Sequence, residues 1–134
     1  MVTPWLVDRI LYRTGEIFYQ GYCRMQPPPI SSNTAAELRV LMNDAVVSGT
    51  SRGTFRRLRR KRNLKNLILG AKTGTINDAL DRYKYDWITA YAVDPDSTDA
   101  ICISVMSVHG QILGVRSTEF ARAIIDFYFS STRP

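Results

Sequence analysis

Three apolar segments follow one another in the second half of the chain, starting near Leu67, Trp87 and Ile101, and a helix-patterned segment comes after them. Leu67-Ile68-Leu69 runs into small and hydroxylated residues at Ala71-Lys72-Thr73-Gly74-Thr75. Trp87 to Val93 is apolar and β-favouring. Ile101, Ile103 and Val105 alternate with Cys102, Ser104 and Met106, the period-two pattern of a strand with two distinct faces. Asp94-Pro95-Asp96-Ser97 supplies a turn between the last two. Ser117 can cap a final helix in which Phe120, Ile124 and Phe127 lie on one side, with Ala121, Ile125 and Tyr128 adjoining. Three strands in succession followed by a packing helix predict an antiparallel sheet covered by helices, an α+β fold.

The first part of the chain reads differently. Residues from Trp5 to Leu11 favour extended structure, Arg13-Thr14-Gly15-Glu16 supplies a turn, and Ile17-Phe18-Tyr19 resumes the extended pattern, which predicts a hairpin. Pro27-Pro28-Pro29 lacks three backbone donors and makes a stiff connector. Ser31 or Thr34 can then cap a helix, the latter with Glu37 as a capping box. Leu38, Leu41, Met42, Ala45 and Val46 recur at helical spacing, which predicts an apolar stripe against a core until Ser48-Gly49 ends the helix. At 134 residues the chain fits one domain, with a hairpin and connector over 1–30 and the helix, three strands and last helix over 31–134.

Charge is unevenly placed. The net charge is +6, yet eight basic residues (Arg52, Arg56, Arg57, Arg59, Arg60, Lys61, Arg62, Lys65) occupy one run without an acidic residue. The remaining 10 basic and 12 acidic residues leave −2. This run reads as a solvated loop or helix face. Its functional alternatives are phosphate contact, as in a basic binding module for nucleic acid, or attraction to anionic head groups or cell-wall polymers. Only Phe55 is interleaved for stacking on bases, so no specific nucleic-acid partner is expected. Cys23 and Cys102 match no metal-ligand spacing and read as buried thiols, and the single histidine, His109, reads as a surface residue in a turn beside Gly110. No metal and no cofactor is called for. Apolar stretches are too short for a membrane-spanning helix, and no export signal is visible.

Lys72-Thr73-Gly74-Thr75 is the most informative stretch for chemistry, although the four residues alone read equally as a strand running into a turn. On a sheet edge, Lys72 and Gly74 share one face while Thr73 and Thr75 share the other. Such an edge has free backbone donors and acceptors, so an extended peptide can add itself as one more strand. Glycine at 74 removes a side chain that would hold the ligand away, and an ammonium with two hydroxyls can orient a carboxylate by charge-assisted hydrogen bonds. The group is suited to gripping the C-terminal end of a peptide. Trp87 and Tyr91 on the next strand read as core or cleft-wall packing.

Lys-Thr-Gly is one of the motifs of penicillin-binding proteins and class A β-lactamases. Around it, the chain resembles the C-terminal part of a penicillin-binding protein transpeptidase domain. The matching stretches are Ile30-Ser31-Ser32-Asn33-Thr34-Ala35-Ala36-Glu37-Leu38, Val47-Ser48-Gly49-Thr50, Ala71 to Thr75, Tyr85-Asp86-Trp87-Ile88-Thr89-Ala90-Tyr91 and the closing strand and helix. The resemblance implies a domain outside the cytoplasmic membrane that cross-links peptidoglycan by cleaving a terminal D-Ala-D-Ala bond through an acyl-serine, which β-lactams also acylate. Lys72 would then be catalytic, and Thr73, Gly74 and Thr75 substrate-binding, with the Thr75 N–H serving the oxyanion.

No Ser-x-x-Lys occurs in the 134 residues, and Ser31-Ser32-Asn33 falls where the family has only a helix cap. The chain is therefore expected to be a partial domain, inactive alone, whose partners are the stem peptide, β-lactams and the rest of the transpeptidase domain. Apolar surface meant for that remainder predicts self-association. A non-catalytic scaffold of the same fold is the other reading.

Overall fold

A computed structural model describes residue 3 and residues 6–131. The chain divides into two units, Met1–Ala35 and Ala36–Pro134.

In the first unit, β1 (Arg9–Leu11) pairs antiparallel with β2 (Ile17–Gln20), with a register shift between Ile10 and Leu11. Gly15 adopts a positive φ of 87° in the connecting turn, a conformation glycine reaches without steric cost. Tyr12 and Phe18 pack edge to face with centroids 5.1 Å apart. The expected hairpin is present, while Trp5 lies outside the described residues. Cys23 is exposed rather than buried. Ser31 caps the following helix by accepting the Thr34 N–H at 3.1 Å, so Ser31 is the cap and Thr34 stands inside the first turn.

The second unit is built on a three-stranded antiparallel sheet in the order β3 (Ile68–Asn77), β4 (Lys84–Val93) and β5 (Ala100–His109). The fold is α+β. Register is continuous along all three strands, so side chains sort into two faces. Leu69, Ala71, Ile88, Ala90 and Ala92 lie on one face and are buried with Ala121, Ile125 and Phe129 of α3 (Ser117–Ser131). Phe55 and Leu58 of α2 (Arg52–Arg59), with Val46, Leu64 and Leu67, complete this core. Its thirteen buried apolar residues include four alanines, three of them on β3 and β4, so the helix layer closes tightly on the sheet. The opposite face carries Trp87, Met106 and Val108, each about half exposed.

Several expectations are corrected by this arrangement. On α3 the apolar side is inverted: Ala121, Ile125 and Phe129 are buried, whereas Phe120, Ile124 and Phe127 face outward. The small Ala121 permits close approach to the alanine-rich sheet, which bulky Phe120 does not. Ser117 does not cap with its hydroxyl, which is buried without a partner among the described residues. The Asp86 carboxylate accepts the Ser117 N–H at 2.9 Å instead. His109 is buried, not on the surface, because β5 runs three residues beyond Met106 and keeps odd positions on the covered face. Cys102, on the uncovered face, is exposed. In α1 (Ser32–Val47) only Val46 is buried, and Leu38 and Leu41 of the expected core stripe are exposed.

The hairpin between β3 and β4 is held by Asp78, which accepts the Tyr83 N–H at 2.8 Å and the Arg82 Nε–H at 3.2 Å. The Tyr83 bond, ahead of Arg82, holds the Asp78 carboxyl below its ordinary range. A depressed carboxyl contributes stability above its unfolded value, about pH 4, and loses it as the pH falls through the folded value. Asp78→Asn is therefore expected to be less stable than the parent at pH 7, with the gap closing toward the acid limit; a gap equal at both would contradict this. Further along β3, a Cβ on Gly70 would stand 2.5 Å from the Tyr91 ring carbon Cζ, and the Tyr91 hydroxyl donates to the Arg39 carbonyl at 3.3 Å. Gly70→Ala must displace that ring and is expected to cost about 1–3 kcal/mol in urea unfolding; an unchanged midpoint would show the ring to be loosely held.

Candidate active site

Strand β3 has β4 on one side only, so it is an edge strand among the described residues. How much of that edge is open depends on α1. Asn43 Nδ2 donates to the Leu69 carbonyl at 2.8 Å, so that carbonyl points away from β4. In an antiparallel strand the N–H and C=O of one residue point to the same side and alternate along the chain. Ala71, Thr73 and Thr75 therefore present theirs to the same outer edge, while Lys72 and Gly74 turn theirs to β4. Asn43 satisfies the edge at residue 69 and Ala71 is wholly buried, so the edge is left for other partners at Thr73 and Thr75.

The side chains follow the faces expected from alternation. Lys72 is exposed, and its Nζ donates to the Thr73 carbonyl at 2.6 Å, with no carboxylate in an ion pair among the described residues. Thr73 is half-buried, and its hydroxyl lies 3.1 Å from that of Thr50. Thr50 comes from the turn after α1, where the Gly49 N–H donates to the Asp44 carbonyl and the Ser51 N–H to the Ala45 carbonyl. A Cβ on Gly49 would stand 2.8 Å from the Ala45 Cα, so this turn closes only with glycine there. By contrast, a Cβ on Gly74 would meet nothing nearer than the Trp87 Cβ at 3.8 Å. The fold itself thus leaves room for a side chain at 74.

Two cavities adjoin the strand. The apolar stripe of α1, with Leu38 and Leu41 exposed and Met42 and Ala45 partly buried, faces Lys72 and Thr73 across an apolar groove of about 640 Å³, which corrects the expectation that it packs into the core. A smaller polar one of about 120 Å³ is bounded by Thr75, Lys84, Asp86, His109, Leu113 and Arg116. The Gly114 N–H donates to His109 Nδ1 at 3.1 Å, which assigns the proton of the neutral ring to Nε2, 3.7 Å from Asp86 Oδ2.

Sequence reasoning missed three participants. Thr50 was legible as part of a motif but not as the partner of Thr73. Thr89 and Ser104 lie in the row across from Lys72, their hydroxyls 3.0 Å apart. The strand alternation names their face, but only the register sets them in line. Trp87 and Tyr91 stand on that same face, Trp87 opposite Gly74 and half-exposed, Tyr91 opposite Gly70 and half-buried. Partial burial, opposed by the nearby Arg39 charge, pushes the Tyr91 phenol up.

Comparison with known proteins gives one result. No curated protein and no solved structure matches, but the family model described as the penicillin binding protein transpeptidase domain matches residues 1–126. That span takes in α1, the whole β3–β5 sheet and most of α3. The chain belongs to the penicillin-binding protein transpeptidase domain family.

Proposed function

We propose that this chain supplies the peptide-gripping strand of a D,D-transpeptidase that cross-links peptidoglycan outside the cytoplasmic membrane. The observation that carries the reading is the edge of β3, where Thr73 and Thr75 turn backbone groups outward beside Lys72. A peptide lying antiparallel to that edge is held by main-chain hydrogen bonds. Its terminal carboxylate takes charge-assisted bonds from the Lys72 ammonium and the Thr73 and Thr75 hydroxyls. The Thr75 N–H then donates to the carbonyl oxygen of the bond to be cleaved, and the removal of one such donor often costs ~3 kcal/mol of transition-state stabilisation. β-Lactams, which carry a carboxylate beside a reactive carbonyl, use the same contacts.

The acyl-serine step needs a nucleophile activated by a base. Ser-x-x-Lys is absent from the 134 residues, and among the described residues the Lys72 ammonium has only the Thr73 carbonyl as its hydrogen-bond partner. The reading therefore assigns binding and orientation to this chain and the nucleophile to the remainder of a transpeptidase domain. Exposed Leu38 and Leu41 beside the groove, and Trp87 and Met106 on the sheet, are apolar surface that such a remainder, or a second copy, would cover. No helix among the described residues is long and apolar enough to cross a membrane.

The chain, titrated with a peptide ending in D-Ala-D-Ala and followed by NMR, is expected to show shifts centred on Lys72 to Thr75. The C-terminal carboxamide should bind at least about tenfold more weakly, the loss of one charge-assisted contact. Gly74→Val should abolish binding while leaving the unfolding midpoint within about 0.5 kcal/mol, since position 74 is open within the fold. Fluorescent penicillin should leave no covalent label on the chain. Equal binding of acid and amide would refute the carboxylate grip, and a covalent adduct would refute the assignment of the nucleophile elsewhere.

A further inference from the structure

The basic run has a second structural consequence, separate from the strand. Arg52, Arg56 and Arg59 of α2 and its C-cap Arg60 fall at i, i+4, i+7 and i+8, one stripe of a helix. With Val46 and Val47 they line a single concavity of about 390 Å³ in which no acidic side chain takes part. The acidic residues of α3 nearest to α2 are engaged elsewhere. Glu119 pairs with Arg122 at 3.0 Å and Arg57 at 3.9 Å, and Asp126 pairs with Lys61 at 2.7 Å and Arg122 at 3.8 Å. None of the four arginines forms an ion pair with a described residue.

Like charges at i, i+4 oppose helix formation, and nothing within the fold offsets them fully. The C-terminal end of α1, which reaches this concavity at Val47, offers the equivalent of about half a negative charge against four positive ones. Meanwhile Phe55 and Leu58 are wholly buried on the other side of α2, so the helix cannot rotate its arginines away from one another.

We propose that this concavity binds a phosphate-bearing anion. Guanidinium forks match phosphate oxygens bidentately, and a group carrying two negative charges in a small volume neutralises several of them at once. Phe55, the one aromatic of the run, is buried, so no platform exists for stacking a base, and the recognised element is the phosphate group itself. That group can belong to a soluble phosphorylated molecule or to a lipid headgroup.

Pyrophosphate titrated calorimetrically into the 134-residue chain at low salt, with acetate as the carboxylate comparison, tests the site. A parallel arm measures flotation with phosphatidylglycerol vesicles against phosphatidylcholine ones. Arg56→Gln/Arg59→Gln is expected to weaken binding at least about tenfold, whereas Arg13→Gln/Arg24→Gln, which removes the same charge from the hairpin unit, leaves it nearly unchanged. Circular dichroism should show the first variant folded and at least as heat-stable as the parent, since it relieves like-charge repulsion. Vesicle capture released by pyrophosphate identifies a headgroup; pyrophosphate binding without capture identifies a soluble ligand. Binding in neither arm, equal affinity for acetate, or equal loss in the two double variants overturns the proposal.

Discussion

Strand β3 is paired with β4 through all ten of its residues without a bulge, and only its other side is free to meet anything else. That single constraint decides what each residue of the strand can do. It sends Leu69 and Ala71 into the core, sets Lys72 in a row with Thr89 and Ser104, and turns the main chain of Thr73 and Thr75 to the open edge. One side chain, Asn43, answers the outward carbonyl at Leu69. Had α1 continued along the strand in the same way, no edge would remain.

The turn after α1 ties the two proposed binding surfaces together. Gly49 lets the chain fold back on Ala45, Thr50 then reaches Thr73, and two residues later α2 begins with Arg52. Phe55 and Leu58 fix α2 on the core, and its contacts with α3 through Thr54 and Arg57, with the Lys61–Asp126 pair just beyond its C-cap, hold it there. The same few residues thus orient the hydroxyl pair at the strand and the arginine stripe. A side chain at 49 would disturb both.

Much of this was legible in the sequence. Alternation at Ile101, Ile103 and Val105 marks a two-faced strand, and the pattern from Leu67 to Thr75 marks a strand ending in small and hydroxylated residues, whereas its position at the edge of the sheet is visible only in the pairing. The errors share a physical origin. Hydropathy ranks Phe120 and Phe127 above Ala121, but a sheet face built of Ala71, Ala90 and Ala92 selects the small residue for close packing, and the phenylalanines turn outward. The neighbouring Gly110 suggests a surface turn for His109, although the strand period carries it into the buried face. Cys102 follows the same period to the exposed one. Asp86 as the acceptor for the first N–H of α3 is a contact across 31 residues, and no local pattern announces it.

Amide hydrogen exchange along β3 tests the open edge most directly. The Lys72 and Gly74 amides, bonded to β4, are expected to exchange slowly and those of Thr73 and Thr75 quickly, and saturating D-Ala-D-Ala peptide should slow the latter pair selectively. Slow exchange at all four positions in the free chain, or rates at 73 and 75 that the peptide leaves untouched, would contradict a strand held ready for one more partner.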